Sequence, residues 1–189
     1  MEKLITGKTM KKIRLEIMNQ DHANKIVEWR NKPRVYKAFF TYSESSLETQ
    51  LNWIAEHSNN NEEVNFVIIL DTYDSYYPVY VSIPIGAISL YNANYQNNRA
   101  ELGRCYIGDD SMLRKGYATE ALKLVLNHAF SILNLNKVYL EIFWDNFEAL
   151  RLYKKVGFTT EASLIKHILR DGKYEDILRM CIFKDEYVN

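Results

Sequence analysis

The chain has 189 residues, the size of one ordinary domain, and 47% of it is apolar, enough to bury a sizeable core. Its 24 basic and 24 acidic side chains cancel, so no global field draws it to nucleic acid. No apolar run approaches the ~20 residues that cross a bilayer, and the start, MEKLITGKTMKKIRLEIM, is a poor signal peptide, so the expectation is a soluble cytoplasmic protein.

In chain order, IRLEIM at 13–18 alternates and predicts a strand. Asp21 can cap a helix through HANKIVEWRN, and SSLETQLNWIAEH predicts a second helix, with Ser45 and Glu48 at capping-box spacing. NFVIIL at 65–70 reads as a buried strand, and DTYDSYYPVY at 71–80 as an excursion rich in Tyr and Asp. IPIGAISLY and RAELGRCYIG are two further strands around an Asn-rich turn. Next comes LRKGYATEALKLVLNHAF, in which Ala118, Ala121, Leu122, Val125, Leu126, Ala129, Phe130 and Leu133 step by three and four, the mark of one buried helix face. KVYLEIF is a strand. NFEALRLYKKVGF is a short helix, capped by Asn146 and ended by Gly157. Two last strands flank the turn at Asp171 and Gly172 as a hairpin.

This order gives seven strands and about four helices in one mixed α/β domain over 1–189. The helical crossovers require some parallel pairing, around the strand at Val138. Cys105 and Cys181 lie in apolar strand-like runs and read as buried thiols. The scattered histidines match no zinc spacing, so no metal is expected.

The chemistry centres on two stretches. Arg114, Lys115 and Gly116 stand directly before the long helix, whose first amides have no partner within it. They are either a solvated loop end or an anion seat, in which Gly116 and Ala118 let a pyrophosphate approach the backbone from about Arg114 to Thr119. Tyr153, two turns into its own helix, is either packing or a phenol able to protonate a leaving thiolate.

Taken together, the two stretches resemble the signature motifs of the GNAT superfamily of N-acetyltransferases. The second matches the family's Asn…Ala…Tyr…Gly-Phe helix at Asn146, Ala149, Tyr153, Gly157 and Phe158. The first matches its pyrophosphate loop at Gly116 and Ala118, with Leu113 where the family has Arg or Gln. Strand RAELGRCYIG and tail HILRDGKYEDILRMCIF also fit, especially the ribosomal-protein, polyamine and nucleotide-amino-sugar branch. The resemblance covers about 13–187 and implies a splayed, mixed seven-stranded sheet, with acetyl-coenzyme A as co-substrate in the cleft where the fourth and fifth strands part.

It further implies a cofactor site made from Met112, Leu113, Arg114, Lys115, Gly116, Tyr117, Ala118, Thr119 and Asn146, with the Met112 and Leu113 amides pairing with pantetheine as a strand would. Tyr153 would be the acid. Glu101, two residues before Gly103, is the candidate base, or else a structural carboxylate. Trp29, Arg30, Asn31, Phe39, Phe40, Tyr91 and Trp144 are candidates for the acceptor pocket, the Trp and Phe residues being equally readable as core. The stretch EWRN resembles that of nucleotide-linked amino-sugar acetyltransferases, which implies such an amino sugar as acceptor. The alternatives are a protein N-terminus, a polyamine, or, in another class, a module that binds acyl-coenzyme A without turnover. Edge strands and the Tyr-rich excursion would support a homodimer.

Overall fold

The computed structural model describes residues 12–41, 43–74 and 79–187. Seven strands, β1 (Lys12–Ile17), β2 (Val64–Asp74), β3 (Val79–Asn94), β4 (Arg99–Ile107), β5 (Lys137–Phe143), β6 (Thr159–Arg170) and β7 (Lys173–Phe183), form one sheet in the order β1-β2-β3-β4-β5-β7-β6. Every neighbouring pair is antiparallel except β4 and β5. The helices are α1 (Ala23–Arg30), α2 (Pro33–Tyr36), α3 (Leu47–His57), α4 (Tyr117–Asn127) and α5 (Phe147–Val156). The fifth helix beyond the expected four is α2, a single turn that starts at Pro33, where a fixed φ and a missing N–H cost nothing.

Both faces of the sheet are covered, which is why β2 is a continuous apolar run. Phe66, Ile68 and Leu70 join the larger core with Ala121, Leu122, Val125 and Leu126 of α4, while Val67 and Ile69 turn the other way, onto Ala23, Ile26 and Ile54 of α1 and α3. The three-and-four ladder of α4 is the helix face that meets the sheet. It continues through a π turn at His128–Ile132, which buries Ala129 and Phe130. Pro84 is tolerated inside β3 because it sits beside a register irregularity in the β2 ladder.

Three local expectations change. Asp21 does not cap α1: Asn19 caps a 3-10 turn at Gln20–His22, and its side chain accepts from the Asp21 amide at 3.0 Å. The capping box of α3 is one residue later, Ser46 with Thr49, whose hydroxyl accepts from the Ser46 amide at 2.9 Å. The excursion at 71–80 is the arm of a hairpin. Thr72, Tyr73, Val79 and Tyr80 are strand formers, and the Tyr73 and Tyr80 rings meet edge-on at 5.2 Å; residues 75–78 lie outside the described residues.

Elsewhere the reading holds. Asp171 and Gly172 both take positive φ, 51° and 77°, as a two-residue hairpin turn requires. Gly157 ends α5 at φ 108°. Cys181 is the buried free thiol expected, whereas Cys105 is free but only half-buried, a departure from the expectation.

Candidate active site

The parallel pairing of β4 and β5 is brief. It covers Arg99 with Lys137, Ala100 with Val138 and Glu101 with Tyr139, after which the strands part. Within the gap β4 carries a bulge: Ser89 faces Gly103 and Ala87 faces Tyr106, so Arg104 and Cys105 together oppose Ile88.

Helix α4 starts beside this gap. Gly116 is its N-cap at φ 87°, and a Cβ built there would meet nothing within 4 Å. Arg114 also has positive φ, 58°, and both Arg114 and Lys115 are exposed. The helix start thus offers main-chain donors, open space and two cations, which suits a pyrophosphate. Thr119 is half-buried. Ala118 packs against the core, and Tyr117 is buried, so its ring serves packing. The Met112 and Leu113 amides are not free for pantetheine: they donate to the Asp109 and Asp110 carbonyls in a 3-10 turn, at 3.1 and 3.3 Å.

Asn146 caps α5 by accepting from the Ala149 amide at 3.1 Å. One helical face further on, Tyr153 is buried with its ring 5.6 Å from that of Phe158, and its hydroxyl lies near the Cys105 thiol. Burial, then the nearness of Cys105, raises the Tyr153 phenol well above its ordinary value. Burial also pushes the Cys105 thiol up to about 12. Both groups are therefore neutral near pH 7, and Tyr153 holds a proton it can give.

Glu101 is engaged on both oxygens, accepting from the Tyr91 hydroxyl at 2.8 Å and from the Asn92 amide at 2.9 Å. Burial first, and Glu101 second, raises the Tyr91 phenol.

A cleft of about 1000 Å³ opens between the segment after α2, the end of β5 and the tip of the β6–β7 hairpin. Phe39, Phe40, Phe143, Asp145, Asn146, Arg170 and Asp171 are among its lining residues. Phe40 meets Phe143 edge-on at 5.1 Å, and the Arg170 guanidinium lies 3.9 Å from the Phe143 ring centroid while donating to the Lys37 carbonyl at 3.1 Å.

Of the acceptor candidates, Phe39 and Phe40 line this cleft; the others do not. Trp29 is a core residue, 2% exposed. It fills the place a side chain at Gly108 would take, since a Cβ there would lie 2.1 Å from the indole. The Asn31 amide is pinned to both backbone groups of Ser45, at 2.8 and 2.9 Å. Arg30 covers the Phe39 ring at 5.2 Å. Tyr91 belongs with Glu101. Trp144 is exposed beside Phe147, at a ring separation of 6.4 Å. Reading the sequence missed Arg34, Phe143, Arg170 and Asp171. The DG turn marks the hairpin tip, but nothing local says which cleft it overhangs.

The model of the acetyltransferase (GNAT) domain family matches residues 12–159. The chain belongs to the GNAT acetyltransferase family. Spermidine N(1)-acetyltransferase of Escherichia coli K12 is 36% identical over 103 residues, 54% of each chain. The Vibrio cholerae spermidine N(1)-acetyltransferase is 34% identical over 105 residues, 56% of this chain and 60% of that protein. The chain thus spans little more than half the length of these curated relatives. A crystal structure of spermidine N-acetyltransferase from Vibrio cholerae with CoA and spermine superposes at a TM-score of 0.80 and 26% identity, over 94% of this chain and 98% of that one. Among the described residues no helix is long and apolar enough to cross a membrane, and no group of His, Cys, Asp and Glu could hold a metal ion.

Proposed function

We propose that this chain transfers the acetyl group of acetyl-coenzyme A to a primary amine, and that the amine belongs to a polyamine. The transfer rests above all on Tyr153, a neutral phenol buried against β4 within the gap. The amine nitrogen attacks the thioester carbonyl, the carbon–sulfur bond breaks, and Tyr153 protonates the departing thiolate. Glu101 is the final acceptor of the amine's proton, and a backbone N–H would hold the developing oxyanion. The amides at the start of α4, with Arg114, Lys115 and Gly116, would hold the pyrophosphate, and Asn146 would contact pantetheine.

The acceptor class draws on the relatives, which are named for spermidine, rather than on the EWRN stretch, whose Trp29 and Asn31 are engaged in packing and loop bonds. The cleft suits a polyamine in two respects. The Phe39, Phe40 and Phe143 rings can pack methylene stems, and the Asp145 and Asp171 carboxylates can meet ammonium groups. A second reading, a nucleotide-linked amino sugar, is favoured by one observation: Arg34, Lys37 and Arg170 also line the cleft, so its cations outnumber its carboxylates. Arg34 is partly neutralised by Asp110 at 2.8 Å.

The deciding assay follows free thiol from acetyl-coenzyme A with spermidine, spermine, nucleotide-linked amino sugars and peptide N-termini offered separately. Thiol release with the polyamines is expected. Release with amino-sugar nucleotides alone would replace the polyamine by the second reading. Binding of coenzyme without release from any amine would leave a binding module.

A further inference from the structure

The two residues of the β4 bulge leave the strand in opposite directions. Cys105 meets Tyr153. Arg104, held at a left-handed φ of 50°, turns toward α3. Its guanidinium stands 4.9 Å from the Trp53 ring centroid and 4.6 Å from that of Tyr91, so it is sandwiched between them. Its Nη1 donates to the Glu63 carboxylate at 2.9 Å and to Asn65 Oδ1 at 3.0 Å. These anchors are themselves fixed: the Glu63 side chain is 4% exposed, and buried Asn65 also accepts from the Ser89 hydroxyl at 2.7 Å. A left-handed non-glycine residue persists only where its surroundings over-determine it, and these do.

The ring stacked on Arg104 is the one that reaches the candidate base. Gly103 leaves room for it, since a Cβ there would lie 2.6 Å from the Tyr91 oxygen. Asn92, whose amide cannot relay a proton, holds one Glu101 oxygen, and the Tyr91 hydroxyl, which can, holds the other at 2.8 Å; the Tyr139 phenol also lies near this carboxylate. We propose that Arg104 is a positioning residue: clamped by Glu63 and Asn65 against Trp53, it fixes the Tyr91 ring so that the Tyr91 hydroxyl carries the acceptor amine's proton to Glu101. As the nitrogen–carbon bond forms, the amine's proton passes to the Tyr91 oxygen while the proton already there passes to Glu101. Tyr91 ends neutral, Glu101 ends protonated, and the thiolate takes its proton from Tyr153; Glu101 then releases its proton to solvent and Tyr153 takes one back, which restores both groups. The inference rests on the acetyl-transfer reading above.

The test is a double-mutant cycle of Arg104→Gln and Tyr91→Phe in the full chain, with Arg104→Lys as the conservative variant, assayed by thiol release with the best amine found for the wild type. Each single change is expected to lower kcat by about tenfold or more, in the range of acid–base assistance, with the KM for acetyl-coenzyme A within about twofold. The double variant should be no slower than Tyr91→Phe alone within about twofold, because Arg104 acts through Tyr91. Arg104→Lys should recover part of the loss. Losses that multiply, or that fall on KM with kcat intact, overturn the inference. If Arg104→Gln fails to melt cooperatively, Tyr91→Phe still decides: an unchanged kcat removes the relay. A wild type that turns over no amine is a different result, and it defeats the acetyl-transfer reading itself.

Discussion

The two ends of the site are built from different material. At the α4–α5 end the groups proposed to work are main chain and one phenol, supplied by two short contiguous stretches. At the cleft end they are side chains from the segment after α2, the end of β5 and the β6–β7 tip, more than 130 residues apart at the Arg170–Lys37 contact. A site made of backbone needs a few small residues at fixed spacing, and that spacing is visible in the chain. A site made of converging side chains exists only after the sheet has brought its parts together.

Substitutions can break or sharpen this contrast, and the largest effect is expected at the cofactor end. Tyr153→Phe removes the proton donor but keeps the packing on Phe158, so kcat should fall by about 100-fold or more while coenzyme affinity stays within about twofold. A loss of only a few-fold, measured by steady-state kinetics, would leave the phenol as packing. Gly116→Val comes next. It forces a β-branched residue to φ 87°, at a cost of about 1–2 kcal/mol, and crowds the backbone approach, so calorimetry should find coenzyme bound about tenfold more weakly. Equal affinity would count against the pyrophosphate seat.

Smaller effects belong to the cleft. Asp145→Asn combined with Asp171→Asn should raise the KM for spermidine by about threefold to tenfold, as expected for partly exposed charge contacts, with coenzyme binding unchanged. If the same pair instead lowers the KM for an amino-sugar nucleotide, the second reading gains.

The smallest effect concerns stability. Tyr91, Tyr153 and Cys105 are kept neutral by burial, with pKa values above those of the unfolded chain, near 10 for Tyr and 9 for Cys. The unfolded chain therefore releases these protons first. Their contribution is fully present below about pH 8 and is lost as the pH rises past 9. The melting temperature should decline between about pH 8.5 and 10.5; a flat profile over that range would mean these groups are open to water.

How far the sequence reaches follows the same division. The ladder from Ala118 to Leu133, the Asn146 cap, the Gly157 terminus and the Asp171–Gly172 turn are set by neighbours within a few residues, and each appears where its local chemistry puts it. The α3 cap slips by one because Ser45 and Ser46 are equally good caps locally, and Asn31, 14 residues away, holds the Ser45 backbone. Trp29 joins the core because Gly108, on the far side of β4, leaves a vacancy of its shape. Met112 and Leu113 fold into a turn stabilised by Asp109, whose carboxylate accepts from the Ser111 amide at 2.9 Å. No spacing in the chain announces the stack of Trp53, Arg104 and Tyr91, since its members come from a helix and two strands.

The three-rung contact between β4 and β5 has a mechanical consequence. Beyond Glu101 no backbone rung joins β4 to β5 among the described residues, so the sheet is two panels linked there by side chains alone. A molecule lying there would bind the folded chain and not the unfolded one. At a hundredfold excess over its Kd it would add about 2.7 kcal/mol of stability. If the proposed acyl donor lies there, heat resistance and loading are linked quantities, and the melting temperature should rise with the concentration of acetyl-coenzyme A.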